Sequence, residues 1–331
     1  MPWRGSLARS PSWDEVPRPP QVQDPLPRDQ LGEYEQGLVQ RGDVTIWLSP
    51  EALDAWNAKS NGRRGAQPKF SDPAIQTALT LRLVFHLPLR KTEGFLRSLF
   101  ALMDVDLDVP DHTTLSRRST KLQPLLTARI SEEPIVLIID STGLSVVGEG
   151  EWAAAKHGGK GRRGWKKLHL GVDATGEIVA QVLTNSSVHD GSIGAEIIKG
   201  TNASIETVIG DATYDSKSVY EAAESVGAGL VVPPNRAATV GKPKRRRKCG
   251  KTCRAATIDR IRQVGRRQWM AEFGYHRQGR VKNTFFRYKS ELGGRLRART
   301  RKAQEVEATL ACKVLNQMRA LGWPQSVKAA N

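Results

Sequence analysis

Asp140 and Asp211 each close an apolar run, IVLII before the first and TVIG before the second. Runs this apolar read as buried strands, so both carboxylates should emerge at the rim of a covered sheet, converging if the two strands are neighbours. Two hard oxygen donors at such a rim suit Mg²⁺, which binds a few carboxylates and otherwise keeps water and phosphate oxygens. Ions held this way can activate a nucleophile and stabilise the leaving oxygen in phosphoryl transfer. The competing reading is that each Asp caps the turn after its strand. Ser141-Thr142-Gly143 and Ala212-Thr213-Tyr214 are both compatible with that.

The elements that must position these acids follow from the pattern around them. After 134 the period is that of strands: IVLIID, WKKLHLGVDA and EIVAQVLTNSS around Gly176, TVIGDA at 207–212, and GLVVPP. SKSVYEAAESVG at 216–227 reads as a helix ending at glycine. Five strands, the first three a meander and the last two separated by a helix, predict a mixed α/β sheet flanked by helices. Upstream, Ser71-Asp72-Pro73 opens one helix, LRKTEGFLRSLFALM follows Pro88, and Asp111 caps a third carrying Arg117, Arg118 and Lys121. These three are either a helix-turn-helix unit that reads DNA or amphipathic helices packed on each other. The division expected is a flexible Pro-rich tail at 1–40, a helical domain at 41–130, and a catalytic domain at 131–331.

The net charge of +17 is unevenly spread. Residues 241–302 hold 22 of the 51 Lys/Arg and only three of the 34 acids, Asp259, Glu272 and Glu291, so this segment carries +19 and the remainder −2. It opens on KRRRK at 244–248 and carries Trp269, Phe273, Tyr275, Phe285, Phe286 and Tyr288 among its basic residues. Cations interleaved with aromatics favour nucleic acid over a merely solvated face. Arg245, Arg246 and Arg247 are phosphate candidates, as are Lys166 and Lys167 at the start of the second strand and Lys160, Arg162 and Arg163 in the glycine-rich loop before it. Three cysteines make no even disulfide set and no paired zinc motif, and His157, His169 and His189 lack zinc spacing. No apolar run has membrane-spanning length and no signal-peptide core opens the chain, which points to the cytoplasm.

Taken together, IIDSTGL, GWKKLHLGVDA, VIGDATYDS, GYHR, NTFFRYK and LGGRLRARTRKAQEVEA closely resemble bacterial insertion-sequence transposases of the DDE class, in the group typified by insertion sequence five. FSDPAIQTALTLRLVFHLPLRKTEGF and VPDHTTLSRRSTKL resemble that group's N-terminal region, so the resemblance runs from about residue 65 to 322. It implies a ribonuclease-H-like catalytic fold, Mg²⁺ (or Mn²⁺), and cutting and joining of DNA at an element's terminal inverted repeats. It also implies that Asp140 and Asp211 are the first two catalytic acids and metal ligands, that a homodimer pairs two ends on DNA, and that the protein is nucleoid-associated.

In its last block this chain departs from the family. The pattern there is Tyr, two residues, Arg, three residues, Glu, six residues, Lys. Tyr275 and Lys289 fit, Gln278 replaces the Arg, and Lys282 replaces the Glu. Helical geometry supports the register independently: Val281, Phe285, Tyr288 and Leu292 form an apolar stripe, bordered by a polar one of Tyr275, Gln278, Lys282 and Lys289. Position 282 can therefore face the acid pair from the rim of the core; in the same basic block Tyr275, Arg287 and Lys289 are the expected DNA contacts. An ammonium there removes a metal ligand and changes the local charge by two. Lys282 either pairs with an aspartate inside the metal site or swings to solvent along its flexible stem. Three functions follow: a transposase impaired by Lys282, an inactive relative that occupies transposon ends, and a nuclease or RNA-binding protein reusing the fold.

Overall fold

A computed structural model describes residues 50–59, 62, 65, 67–129, 132–147, 165–235 and 254–321, all within one compact unit, Ile46–Trp323. The Pro-rich tail, His157, Lys160, Arg162, Arg163, Arg245, Arg246, Arg247, Cys249 and Cys253 lie outside the described residues.

The helical segment comprises α1 (Pro50–Asp54), α2 (Asp72–Val84), α3 (Leu89–Leu102) and α4 (His112–Ser119). Ser71 Oγ accepts the Ala74 N–H at 3.2 Å at the start of α2, with Pro73 in its first turn. Asp111 likewise accepts the Thr113 and Thr114 N–H groups at 2.8 and 2.9 Å, which starts α4. Helices α2, α3 and α4 pack on one another.

The sheet is built from β1 (Ile135–Val146), β2 (Trp165–Val172), β3 (Ile178–Asn185), β4 (Ile205–Ile209), β5 (Gly229–Val231) and a two-residue β6 (Arg295–Leu296). Its order is β3-β2-β1-β4-β5, with β6 beside the far end of β1. The meander β1-β2-β3 is antiparallel and β4 and β5 run parallel to β1, the mixed sheet expected, with one short strand more. Helix α5 (Asp190–Gly200) was not anticipated. It supplies the crossover that lets β4 return parallel to β1. Its signal was present in Ile193, Ile197 and Ile198, at one-turn spacing behind His189, whose Nδ1 accepts the Gly191 N–H at 3.2 Å.

The remaining helices are α6 (Lys217–Ser225), α7 (Arg254–Val264), α8 (Arg266–Glu272), α9 (Gly279–Arg287) and α10 (Arg301–Leu321). One face of the sheet (Ile138, Leu168, Leu170, Ile209) shares a core with α2–α4, α9 and α10, so apolar packing runs unbroken from the helical segment into the sheet. The other face (Leu137, Ile139, Val208) packs against α5 and α6. Buried Asn316 of α10 fastens the sheet from the first side. Its Oδ1 accepts the Ile178 N–H at 2.9 Å, and its Nδ2 donates to the carbonyls of Ile178 and Thr127 at 2.9 and 3.1 Å. Cys312 is buried and unpaired in α10. No described helix is long and apolar enough to cross a membrane.

Candidate active site

Neighbouring strands bring the two aspartates level. β1 and β4 pair in parallel with Ile138 opposite Ile209, and Asp140 and Asp211 each lie two residues further along. Side chains two apart share a face of a strand, and Asp211 keeps extended backbone (φ −80°, ψ −179°). Both carboxylates therefore stand on the face of Ile138 and Ile209, the face covered by α9. One detail differs from the expected strand end: β1 continues to Val146, so Asp140 sits mid-strand, where its parallel pairing with β4 stops.

The turn-capping reading has partial support. Asp211 Oδ1 accepts the Thr213 N–H at 2.9 Å and opens a single 3₁₀ turn, Ala212–Tyr214. Asp140 Oδ1 accepts only the N–H of the next residue, Ser141, at 2.8 Å. Neither use exhausts a carboxylate, which has about four lone-pair sites.

Burial pushes the Asp140 carboxyl up to about 6; the Ser141 N–H works against that rise, the Asp211 charge adds to it, Lys282 opposes it and Asp190 adds to it. Three charges therefore gather here, since Asp211, Lys282 and Asp190 all act on Asp140. Helix α9 packs on β1 and β2, which is how position 282 comes to act on the acid pair. The apolar stripe is as expected, with Val281, Phe285, Tyr288 and Leu292 all buried, and Gly293 (φ 93°) ends the segment. Lys282 itself is exposed and, among the described residues, is in no ion pair. It acts on the site from the rim rather than by direct pairing.

Tyr275 is half-buried beside the pair, its hydroxyl pushed up by burial and then by Asp211 and Asp140. Gln278, at the family's arginine position, is buried, and its Nε2 donates to the Ile139 carbonyl at 3.3 Å while its Oε1 has no partner. The backbone beside Asp140 is thus held by an amide where the pattern has a guanidinium. Arg287, half-exposed, ends α9, and Lys289, exposed, lies in the π-helical turn Tyr288–Leu292 that follows it. Lys166 donates to Asn185 Oδ1 at 2.7 Å. Lys167 is more committed, donating to the Val188 carbonyl at 3.0 Å and Asp190 Oδ1 at 2.9 Å with its side chain 19% exposed. Glu272, the acid that precedes Tyr275 in the chain, is taken by Arg260 at 2.9 and 3.0 Å.

Four further residues crowd this rim, and of these only His169 was weighed from the sequence, as a histidine without zinc spacing. Asp190 opens α5 and salts Lys167. His169 is fully buried opposite Ser141, with its Nε2 2.9 Å from Thr184 Oγ1, and burial lowers it to about 4, so the ring is neutral at pH 7. Tyr214 is fully buried under the turn, and its hydroxyl, without a hydrogen-bond partner by geometry, is pushed up by burial and by Asp140, Asp190 and Asp211. Asp215 accepts Arg254 Nε and Nη2 on its two carboxylate oxygens at 2.6 and 2.7 Å and the Asn235 N–H at 3.1 Å, which fixes the turn that presents Asp211. Tyr214 and Asp215 stand in VIGDATYDS and His169 in GWKKLHLGVDA, so of the four Asp190 alone lies outside the sequence motifs.

Two level carboxylates, one of them resisting ionisation, fit a single hard divalent ion whose charge would relieve their repulsion. Among the described residues no group of three or more His, Cys, Asp or Glu is arranged to hold a metal, and the charge that acts on Asp140 from α9 is the ammonium of Lys282. The acid pair also has a stability consequence. A folded value of about 6 against an ordinary 3.8 means the folded chain holds this proton more tightly than the unfolded chain does. Ionised Asp140 therefore costs stability above pH 6, and that cost disappears as pH falls toward 4. Asp140→Asn is expected to stabilise the metal-free protein at pH 8 by on the order of 1 kcal/mol and to change nothing near pH 4. Denaturant melts at the two pH values check this.

Two sequence profiles, each described as Transposase DDE domain, match the chain, one over residues 39–149 and the other over 131–317. The second spans more than half of the 331 residues and contains both aspartates and Lys282 on the mixed sheet described above: the chain belongs to the DDE transposase family.

Proposed function

We propose that this transposase binds the terminal inverted repeats of an insertion sequence and that its strand cleavage and transfer, centred on Asp140 and Asp211, is opposed by Lys282. The observation that carries the reading is electrostatic: Lys282, on a helix packed against β1, acts on the Asp140 carboxylate from the position where the family pattern has a glutamate. Asp140 and Asp211 would hold Mg²⁺ or Mn²⁺, which when bound polarises the scissile phosphate and lowers the pKa of water. A water and then a DNA 3′-hydroxyl serve as nucleophiles. Tyr275 borders the acids, while Arg287, Lys289 and Lys166, together with Arg245, Arg246 and Arg247, neutralise phosphates of the transposon end and of target DNA. Lys167 reaches DNA only by leaving Asp190. Pairing two ends calls for a homodimer on DNA, in the bacterial cytoplasm at the nucleoid.

A second reading is the limit of the first, a copy that occupies transposon ends without cutting them. The missing third acid favours it. Both readings require end binding, which fluorescence anisotropy tests on an inverted-repeat duplex with the unaltered chain and with Asp140→Asn. The expected result is equal or tighter binding by the variant, and an affinity falling roughly 10³-fold between about 50 and 200 mM salt. Loss of binding in Asp140→Asn, or equal affinity for duplex RNA, would contradict end recognition by this protein.

A further inference from the structure

Phe286 stands 72% exposed on α9, and the only other aromatic among the described exposed large apolar side chains is Phe273 at 45%. Both lie in the basic segment, one on each side of Tyr275 and Lys282 in the chain. Phe273 already has a neighbour, stacking on Trp269 with ring centroids 5.5 Å apart. No ring contact of this kind engages Phe286 among the described residues.

The amphipathic pattern of α9 would place a polar residue at 286. Val281, Thr284, Phe285 and Tyr288 are buried on one side, and Lys282, Asn283, Phe286 and Lys289 face water on the other. A ring left in water forgoes roughly 2 kcal/mol of burial. Scattered exposed aliphatics are ordinary, but this ring stands one turn from Lys282, about 40° around the helix, with Lys289 in the next turn. An apolar aromatic face between two ammonium groups is complementary to a nucleobase whose flanking phosphates meet the cations.

We propose that Phe286 is a positioning residue: its ring stacks an unpaired nucleobase of the bound DNA end, while Lys282 and Lys289 take the neighbouring phosphates. This rests on the reading that Asp140 and Asp211 receive the scissile phosphate. Four residues of helix advance about 6 Å, so the stacked base belongs within about three nucleotides of the cut. The stack holds the strand in register for cleavage and makes binding sensitive to whether that base pair opens.

The test places 2-aminopurine singly at each position flanking the cut in an inverted-repeat duplex, with the full chain and no divalent metal, so that chemistry is not needed. The unaltered chain is expected to change the fluorescence severalfold at one position within about three nucleotides of the cut. Phe286→Ala abolishes that change and weakens binding roughly tenfold, Phe286→Trp retains both, and Leu102→Ala, which trims an exposed side chain on α3, alters neither. An unchanged signal in Phe286→Ala overturns the proposal, as does an altered oligomeric state with the signal intact, which would assign the ring to a second copy of the chain. If the unaltered chain fails to bind the duplex at all, the reading of end recognition falls together with the stacking.

Discussion

Lys282→Glu is expected to raise Mg²⁺-dependent cleavage of an inverted-repeat duplex by roughly 10²-fold or more. A unit charge acting on another at 4 Å is worth about 4 kcal/mol at an effective dielectric near 20, and half that at twice the distance. The substitution exchanges a repelling charge for an attracting one, so the effect on a divalent ion is counted twice. Lys282 is exposed, and screening takes part of it back. About 3 kcal/mol survives, equivalent to the stated factor at 1.36 kcal/mol per decade. DNA affinity should move the other way and only slightly, since one cation among many is lost from the phosphate-binding surface. Gel assays of strand nicking with both chains at matched DNA occupancy measure the ratio. Equal and robust cleavage by the two chains would remove Lys282 from the account.

Gln278 marks a limit on this reversion. The carboxylate restored at 282 would be flanked by a buried amide that holds the Ile139 carbonyl, where the family pattern has arginine. The expected rise therefore concerns the metal-dependent step and does not restore a phosphate contact that an arginine would make.

Much of this site was legible in the sequence because its parts are local. An apolar run ending in an acid announces a buried strand, and the stripe of Val281, Phe285, Tyr288 and Leu292 puts position 282 at the rim of the core without any knowledge of the partner strands. What was not legible is tertiary. That β1 and β4 are neighbours follows from a crossover through α5, a helix hidden in DGSIGAEIIKG, whose glycines weaken the helical pattern. Asp190 was invisible for the same reason, since it belongs to the site only because α5 starts beside β2. Lys167 looked like a free phosphate ligand, and nothing in WKKLHL indicates that its ammonium is held by Asp190 and the Val188 carbonyl. Gln278 was assigned to a polar rim, yet it is buried, because the 3₁₀ turn Tyr275–Gln278 folds it against β1.

The second large effect concerns the ion itself. Asp140 resists ionisation because burial and Asp211 both disfavour its charge, and a divalent cation reverses both influences at once. Removing either aspartate leaves a single carboxylate facing an ammonium, a combination with little affinity for Mg²⁺ or Mn²⁺. A glutamate at 282 instead offers a third carboxylate, from a helix, beside those of β1 and of the turn after β4. The gain in affinity from Lys282→Glu should therefore depend entirely on both aspartates, as interacting groups in one site do.

Electron paramagnetic resonance of Mn²⁺ titrated into the unaltered chain, into Lys282→Glu, and into Lys282→Glu carrying Asp140→Asn or Asp211→Asn measures this without any reaction taking place. The structure predicts binding at least about tenfold tighter in Lys282→Glu than in the unaltered chain, with that gain abolished by either aspartate replacement. Equal affinity in the first two proteins, or a gain that persists without Asp140 and Asp211, would contradict the claim that these three positions form one metal site.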